Sequence, residues 1–252
     1  MTALSQTIRP SKAQSREWKA IVVLILLIPV LWSPPFLFRF FLYQPFNIPS
    51  GSMAPTLMIG DYVFASKFAY GYGPYSFPFA SSLITHRVFA AEPERGDVVV
   101  FRTPKDTSVD YVKRVVGLPG DRIQMRQGQL VLNDKPVNRV PLKEVDGEAA
   151  CGTDDAKAKS WLETLPNSRP HGPSYTTYDC IENGYYDNTN VYTVPPGHFF
   201  VLGDNRDNST DSRVMATIGF IPMDNLVGRV TRIIWSLDDD GEPRFERMGK
   251  VR

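Results

Sequence analysis

The chain has 252 residues, 42% of them hydrophobic, with 28 Lys and Arg against 27 Asp and Glu and a formal charge of +1. This balance excludes a strongly basic nucleic-acid binder, and the apolar content suffices for the core of one large or two small domains. The two cysteines, Cys151 and Cys180, make no Cys-x-x-Cys pair, and His86, His171 and His198 stand isolated, so no zinc-type spacing is present.

Residues 1–19 form a polar tail in which Arg9, Lys12, Arg16 and Lys19 face a single acid, Glu17. From Ala20 to Phe38 the sole polar residue is Ser33. As a helix this stretch reaches about 28 Å, close to the ~30 Å hydrocarbon core, so 20–43 is expected to be a transmembrane segment. Pro34-Pro35 predicts a kinked or early-ending helix near Ser33, with Phe36, Phe38, Phe40, Phe41, Tyr43 and Arg39 completing the crossing as an aromatic interface segment. Prolines and large aromatics follow Trp32 where a cleaved leader would carry small residues, which favours an uncleaved signal-anchor. The positive-inside rule then predicts a single-pass protein of the cytoplasmic membrane, with residues 44–252 outside. In that compartment a Cys151–Cys180 disulfide is expected; in a cytosolic chain two buried thiols would be the better reading.

Beyond Gln44 the sequence turns to short apolar or alternating runs: 62–65, 97–101, 109–113, 122–125, 129–132, 199–202 and 229–235. Gly60-Asp61, Gly96-Asp97 and Gly120-Asp121 precede or open three of them, as tight turns require. Without helix–strand alternation, the expected fold is mainly β, with an antiparallel sheet core. Residues 70–83 carry five aromatics and no charge, so they either meet a bilayer interface or dock on the core. Residues 141–190 are the least patterned and predict an inserted, loop-rich subdomain pinned by the disulfide, with one helix near Ala156–Leu162.

Three blocks carry the chemistry. In Pro49-Ser50-Gly51-Ser52-Met53-Ala54-Pro55-Thr56-Leu57, glycine and flanking prolines exclude regular structure and predict a shaped turn. Such a turn can present a hydroxyl with backbone N–H groups around it, although alone it reads better as a linker leaving the membrane. In Tyr111-Val112-Lys113-Arg114-Val115-Val116-Gly117-Leu118-Pro119-Gly120-Asp121, strand alternation puts Lys113 on one face with Tyr111 and Val115. Burial of that face would lower the lysine pKa and make a general base; an exposed face would leave a snorkelling lysine. The third block runs Gly203-Asp204-Asn205-Arg206-Asp207-Asn208-Ser209-Thr210-Asp211-Ser212-Arg213. Its acids lack the order and closing Glu of a calcium loop, so charge pairing is the simpler reading and no metal is assigned.

In this order the three blocks closely resemble the bacterial type I signal peptidases, membrane-bound serine proteases with a Ser/Lys dyad. The resemblance implies Ser52 as nucleophile, Lys113 as general base, and Ser50 with the Ser52 backbone N–H as oxyanion hole. It further implies that Ser209 orients the lysine and that Asp211 and Arg213 form a supporting ion pair. Small substrate side chains are implied one and three residues before the cut, with Phe46, Ile48, Met53, Leu57, Val63, Val100, Tyr111 and Val112 as candidate pocket walls. Signal-peptide-bearing preproteins, the bilayer and the secretion translocon are the expected partners of a monomer that needs no cofactor and binds no nucleic acid. Two other readings accompany this one: a dedicated Ser/Lys peptidase with one substrate, of pilus or conjugation type, and an inactive membrane-tethered β scaffold.

Overall fold

The computed structural model describes residues 18, 21–23, 25–27, 30, 33–34, 37–77, 84–151, 157–166 and 172–251. The chain divides into two units, Met1–Leu42 and Tyr43–Arg252. In the first, the described residues are helical and pass into a π-helical turn over Phe38–Leu42. Helical geometry is found at Ser33, Pro34 and Leu37, so the helix does not end at Ser33, while the expected kink at Pro34-Pro35 falls partly outside the described residues. The expected span, 20–43, falls largely outside the described residues, and among those described no helix is long and apolar enough to cross a membrane.

The second unit is mainly antiparallel β. In chain order the strands are β1 (Tyr43–Asn47), β2 (Asp61–Ser66), β3 (Val98–Arg102), β4 (Asp110–Gly117), β5 (Arg122–Arg126), β6 (Gln129–Leu132), β7 (Lys135–Pro136) and β8 (Asn138–Pro141). They continue with β9 (Val145–Asp146), β10 (Lys157–Thr164), β11 (Ser174–Asp179), β12 (Tyr192–Thr193), β13 (His198–Leu202), β14 (Ile221–Pro222), β15 (Leu226–Ser236) and β16 (Gly249–Lys250). The main sheet runs β1-β2-β15-β3-β4-β13-β14, with β16 beside β15. Two further four-stranded sheets are β11-β10-β8, with β9 on β10, and β12-β5-β6-β7.

The central strands bury both faces, which is why they read as unbroken apolar runs. Val98 and Val100 of β3 pack with Ile48, Met53, Leu57, Val63 and Val230, whereas Val99 and Phe101 pack with Val115, Phe199 and Val201. A third cluster joins Val116, Phe200 and Leu202 to Ile123, Met125 and Leu130 of the β5–β6 hairpin. Register between β3 and β4 pairs Val99 with Lys113 and Val98 with Arg114, so the basic pair of β4 sits in the middle of the sheet.

The three Gly-Asp pairs close the same four-residue turn. Gly60, Gly96 and Gly120 have φ of 85°, 94° and 86°, the positive value that the third position of a type II turn requires. In each case the following aspartate reaches back three residues: Asp61 accepts from Met58 N at 2.8 Å, Asp97 from Glu94 N at 3.0 Å and Asp121 from Leu118 N at 2.8 Å. Glycine supplies the conformation and aspartate satisfies the turn's free donor.

Two expectations change. Residues 157–164 form strand β10, in place of the helix near Ala156–Leu162. Ala and Lys favour helix locally, but β10 pairs with β11 on one side and with β8 and β9 on the other, burying Ala158 and Ser160 in alternation and Glu163 further along. Tertiary pairing overrides propensity here. The stretch 141–190 therefore holds more sheet than a loop-rich insert, with a five-residue helix α1 (Gly147–Cys151) and the disulfide Cys151–Cys180. The described part of the aromatic loop docks on the core. Tyr70 is buried and donates to Asp97 at 2.7 Å, and Tyr72 stacks on Phe77.

The turns make a graded prediction. A Cβ at Gly120 meets nothing within 4 Å, whereas one at Gly60 would stand 2.1 Å from Leu237 O. Gly120→Ala should cost only the backbone strain, about 1–2 kcal/mol, and Gly60→Ala at least about 3 kcal/mol. Denaturant unfolding of the two variants checks the order.

Candidate active site

Ser52 sits in a single 3-10 turn, Gly51–Met53. The turn is anchored from below because Met53 and Leu57 are fully buried in the core with Ile48 and Val63. Ala54 N donates to Gly51 O at 3.0 Å and Leu57 N to Met53 O at 2.9 Å, so the shape is self-bonded. From the side, Asn205 N donates to Ser52 O at 3.1 Å.

Lys113 Nζ lies 2.6 Å from Ser52 Oγ and 3.0 Å from Val112 O. Its side chain shares a face with Tyr111, whose ring centroid is 5.4 Å from Nζ. Lys113 is 3% exposed. Burial dominates its titration and lowers the pKa to about 8; Asp211 and Asp204 pull it upward, and Arg213 pushes it down. A buried amine in this range can lose its proton near neutral pH and accept one from a neighbouring hydroxyl.

The acids that restrain this shift come from the 203–213 loop. Asp211 accepts from Ser209 Oγ at 2.8 Å, Gly203 N at 3.0 Å, and Arg213 Nε and Nη2, both at 2.9 Å. Burial alone would push the Asp211 carboxyl up, but Arg213 and these donors hold it below its ordinary value. Ser209 thus reaches the lysine's surroundings through Asp211, and Lys113 Nζ donates to Ser52 and Val112. Gly203 allows the loop to close on the turn. A Cβ there would lie 2.2 Å from Ser209 Oγ and 2.6 Å from Ser52 O.

On the opposite face of β4, Arg114 makes a buried bidentate pair with Asp204, Nε to Oδ1 at 2.8 Å and Nη2 to Oδ2 at 2.7 Å. Thr56 joins them, donating to Asp204 Oδ2 at 2.5 Å and accepting from Arg114 Nη2 at 3.1 Å. Arg206 pairs with Glu163 of β10 through Nη1 and Oε1 at 2.9 Å and through Nη2 and Oε2. The two arginines therefore tie the same loop to β4 and to β10. Arg114, Thr56, Asn205 and Glu163 were not singled out from sequence. The signal for Arg114 was its own alternation, between Val112 and Val116 on an apolar face, which demands a buried acid.

A cleft of about 610 Å³ opens at Ser52, walled by 46–50, 52–53, 109–113, Asn208 and Thr210. It includes Phe46, Ile48, Met53, Tyr111 and Val112 of the expected pocket and also Ser50, whose Oγ is 3.4 Å from Ser52 Oγ. Leu57, Val63 and Val100 are fully buried beneath it and do not line it, because they point into the layer that supports the turn. β4 leaves an edge open to the cleft. It pairs with β3 from Asp110 to Arg114, but β13 reaches only from Arg114 to Gly117.

Residues 15–235 match the family model for signal peptidase, peptidase S26. Signal peptidase I of Rickettsia typhi is 44% identical over 214 residues, 81% of this chain and 78% of the relative. That of Rickettsia conorii is 40% identical over 242 residues, 92% and 85% of the two chains. A crystal structure of a signal peptidase I from Enterococcus faecalis is 27% identical and covers 56% of this chain and 98% of its own, at a TM-score of 0.32.

The depressed lysine pKa carries a stability penalty with a defined sign. Below pH 8 the folded state must hold a desolvated ammonium, and the penalty fades as pH rises from about 8 toward the unfolded value of 10.5. Lys113→Met should therefore stabilise the fold at pH 7 by up to about 3 kcal/mol, with the gain shrinking above pH 8. Unfolding curves of both chains at pH 6 to 10 test this.

Proposed function

Since this chain belongs to the signal peptidase S26 family, whose members are serine endopeptidases, we propose that Ser52 is its nucleophile and Lys113 its general base. Its function is removal of signal peptides from preproteins. The observation that carries the dyad reading is the 2.6 Å contact between a buried lysine amine and the hydroxyl of a rigid turn.

The reaction runs as acyl transfer. With a pKa of about 8, about a tenth of Lys113 is neutral at pH 7, against about one part in three thousand at the ordinary value of 10.5. The neutral amine takes the Ser52 proton as Oγ attacks the scissile carbonyl. The resulting ammonium is stabilised by Asp211 and returns the proton to the leaving amine, which departs with the mature chain. Water, deprotonated by the same amine, then releases the signal peptide and frees Ser52. The Ser52 N–H and the Ser50 hydroxyl serve as the oxyanion donors. Ser209, Asp211 and Arg213 act as positioning residues, since their polar contacts fix the carboxylate near the amine.

Substrate lies in the cleft as an extended strand along Asp110–Lys113, bonding through its main chain. Phe46, Ile48, Met53, Tyr111 and Val112 leave room for small side chains beside Ser52. Residues 20–43 anchor the protein as a single-pass membrane segment, with 1–19 in the cytoplasm and the catalytic domain, 44–252, on the far side. Preproteins then reach the enzyme as they leave the translocon, and the enzyme works as a monomer without a cofactor.

Ser52→Ala and Lys113→Met should each lower preprotein processing by at least about 10³-fold. The wild-type rate should rise with pH through about 8, where Lys113 loses its proton. Processing at the wild-type rate by either variant would overturn the dyad.

A further inference from the structure

Asn205 is wholly buried between the Ser52 turn and the disulfide. Its Nδ2 donates to Gly51 O, just before Ser52, at 3.2 Å and to Ala150 O, just before Cys151, at 2.5 Å. Its backbone N donates to Ser52 O at 3.1 Å. Oδ1 lies 3.8 Å from Cys180 Sγ, a contact without a hydrogen bond because a disulfide sulfur carries no hydrogen. Flipping the amide would turn its oxygen toward two carbonyl oxygens, so the orientation is fixed.

The two ends of the disulfide are held very differently. On the Cys180 side, Tyr178 N donates to Asp204 O at 2.9 Å, Arg206 N to Tyr178 O at 2.9 Å, and Cys180 N to Asp207 Oδ2 at 2.8 Å. Cys151 instead ends the five-residue helix α1, too short to be stable by itself. The helix follows directly on β9, which pairs with β10, and the S–S bond ties its last residue, next to the Ala150 carbonyl, to the Cys180 side.

We propose that Asn205 is a positioning residue for Ser52 and that the Cys151–Cys180 disulfide acts on the active site through it. The proposal rests on Ser52 being the nucleophile. When an external dithiol reduces the bond, it supplies two electrons and two protons, becomes a cyclic disulfide and leaves thiols at both cysteines. The α1 helix is then free to withdraw, Nδ2 loses the acceptor that fixes it, and its grip on the Gly51 carbonyl loosens. The turn survives through its core anchors but holds Ser52 Oγ less firmly against Lys113 Nζ.

The test uses the full chain in detergent micelles, oxidised or reduced by dithiothreitol, below its unfolding temperature. Two quantities are read: the rate at which a serine-directed acylating inhibitor labels Ser52, per folded molecule, and hydrogen exchange at the Ala54 and Leu57 amides. Reduction should slow labelling about tenfold and speed exchange at these amides at least tenfold, while KM for a preprotein stays within twofold and β5–β6 amides are unchanged. A disulfide that only stabilises the fold would lower Tm and leave labelling and turn exchange alone, which overturns the proposal. Cys151→Ala/Cys180→Ala should reproduce the reduced values and ignore the dithiol; continued sensitivity to the dithiol also overturns it. Asn205→Ala with the disulfide intact should itself slow labelling about tenfold and leave less than a twofold response to the dithiol; a full tenfold response in that variant would mean that the two act independently and overturns the proposal. Reduction of the wild-type chain needs no variant to fold. Exchange needs no catalysis, so the coupling is judged even where processing that survives Ser52→Ala has removed the peptidase reading.

Discussion

The structure turns on the desolvation of one amine. A lysine taken out of water opposes folding, and it is kept because only there does its pKa fall to about 8. β4 provides the setting by burying both faces: Lys113 looks toward Ser52, while Arg114 looks the other way into a bidentate pair with Asp204. Without neighbouring acids, burial would take the amine lower still. Asp211 and Asp204 oppose that fall, and Arg213 limits how far Asp211 can do so. The working pKa is thus a balance between burial and a few fixed charges.

Such a balance requires that the charges not move, and the loop 203–213 shows how this is arranged. Asp204, Asn205, Arg206, Asp211 and Arg213 are all buried, an unusual density of polar groups for a loop. Each is bonded: Asp204 to β4, Arg206 to Glu163 of β10, Asn205 to the Ser52 turn, and Asp211 to Arg213. Breaking any one pair would leave an uncompensated buried charge or donor, so the loop is held in a single arrangement. The absence of a side chain at Gly203 then lets this rigid loop meet the turn at contact distance.

Much of this was legible in sequence, and the reasons are local. Val98–Phe101 and Phe199–Leu202 announced strands through unbroken apolar runs, and the Gly-Asp pairs announced turns because no other residue tolerates their φ so well. Ser52 and Lys113 stood out through the resemblance of their blocks, and the structure brings them to 2.6 Å. What could not be read was long-range partnership. Glu163 looked like one more acid in an unpatterned segment, since its meaning comes from an arginine 43 positions on. β10 was mistaken for helix because Ala and Lys state a local preference that strand pairing on both sides outweighs. Leu57, Val63 and Val100 were offered as pocket walls through the resemblance, whereas they pack with Ile48 and Met53 in the core layer under the turn.

The unpaired stretch of β4 has one more consequence. An added strand repeats every two residues, about 6.6 Å, with successive side chains on opposite sides. A peptide seated along Asp110–Lys113 with its scissile carbonyl at Ser52 therefore offers the wall its residues one and three before the cut, while the residue between them points away. On the proposed reading, the small residues implied at alternate positions become a property of the pleat, and the open edge would act as a ruler of spacing and girth with no need to recognise any side chain by its chemistry.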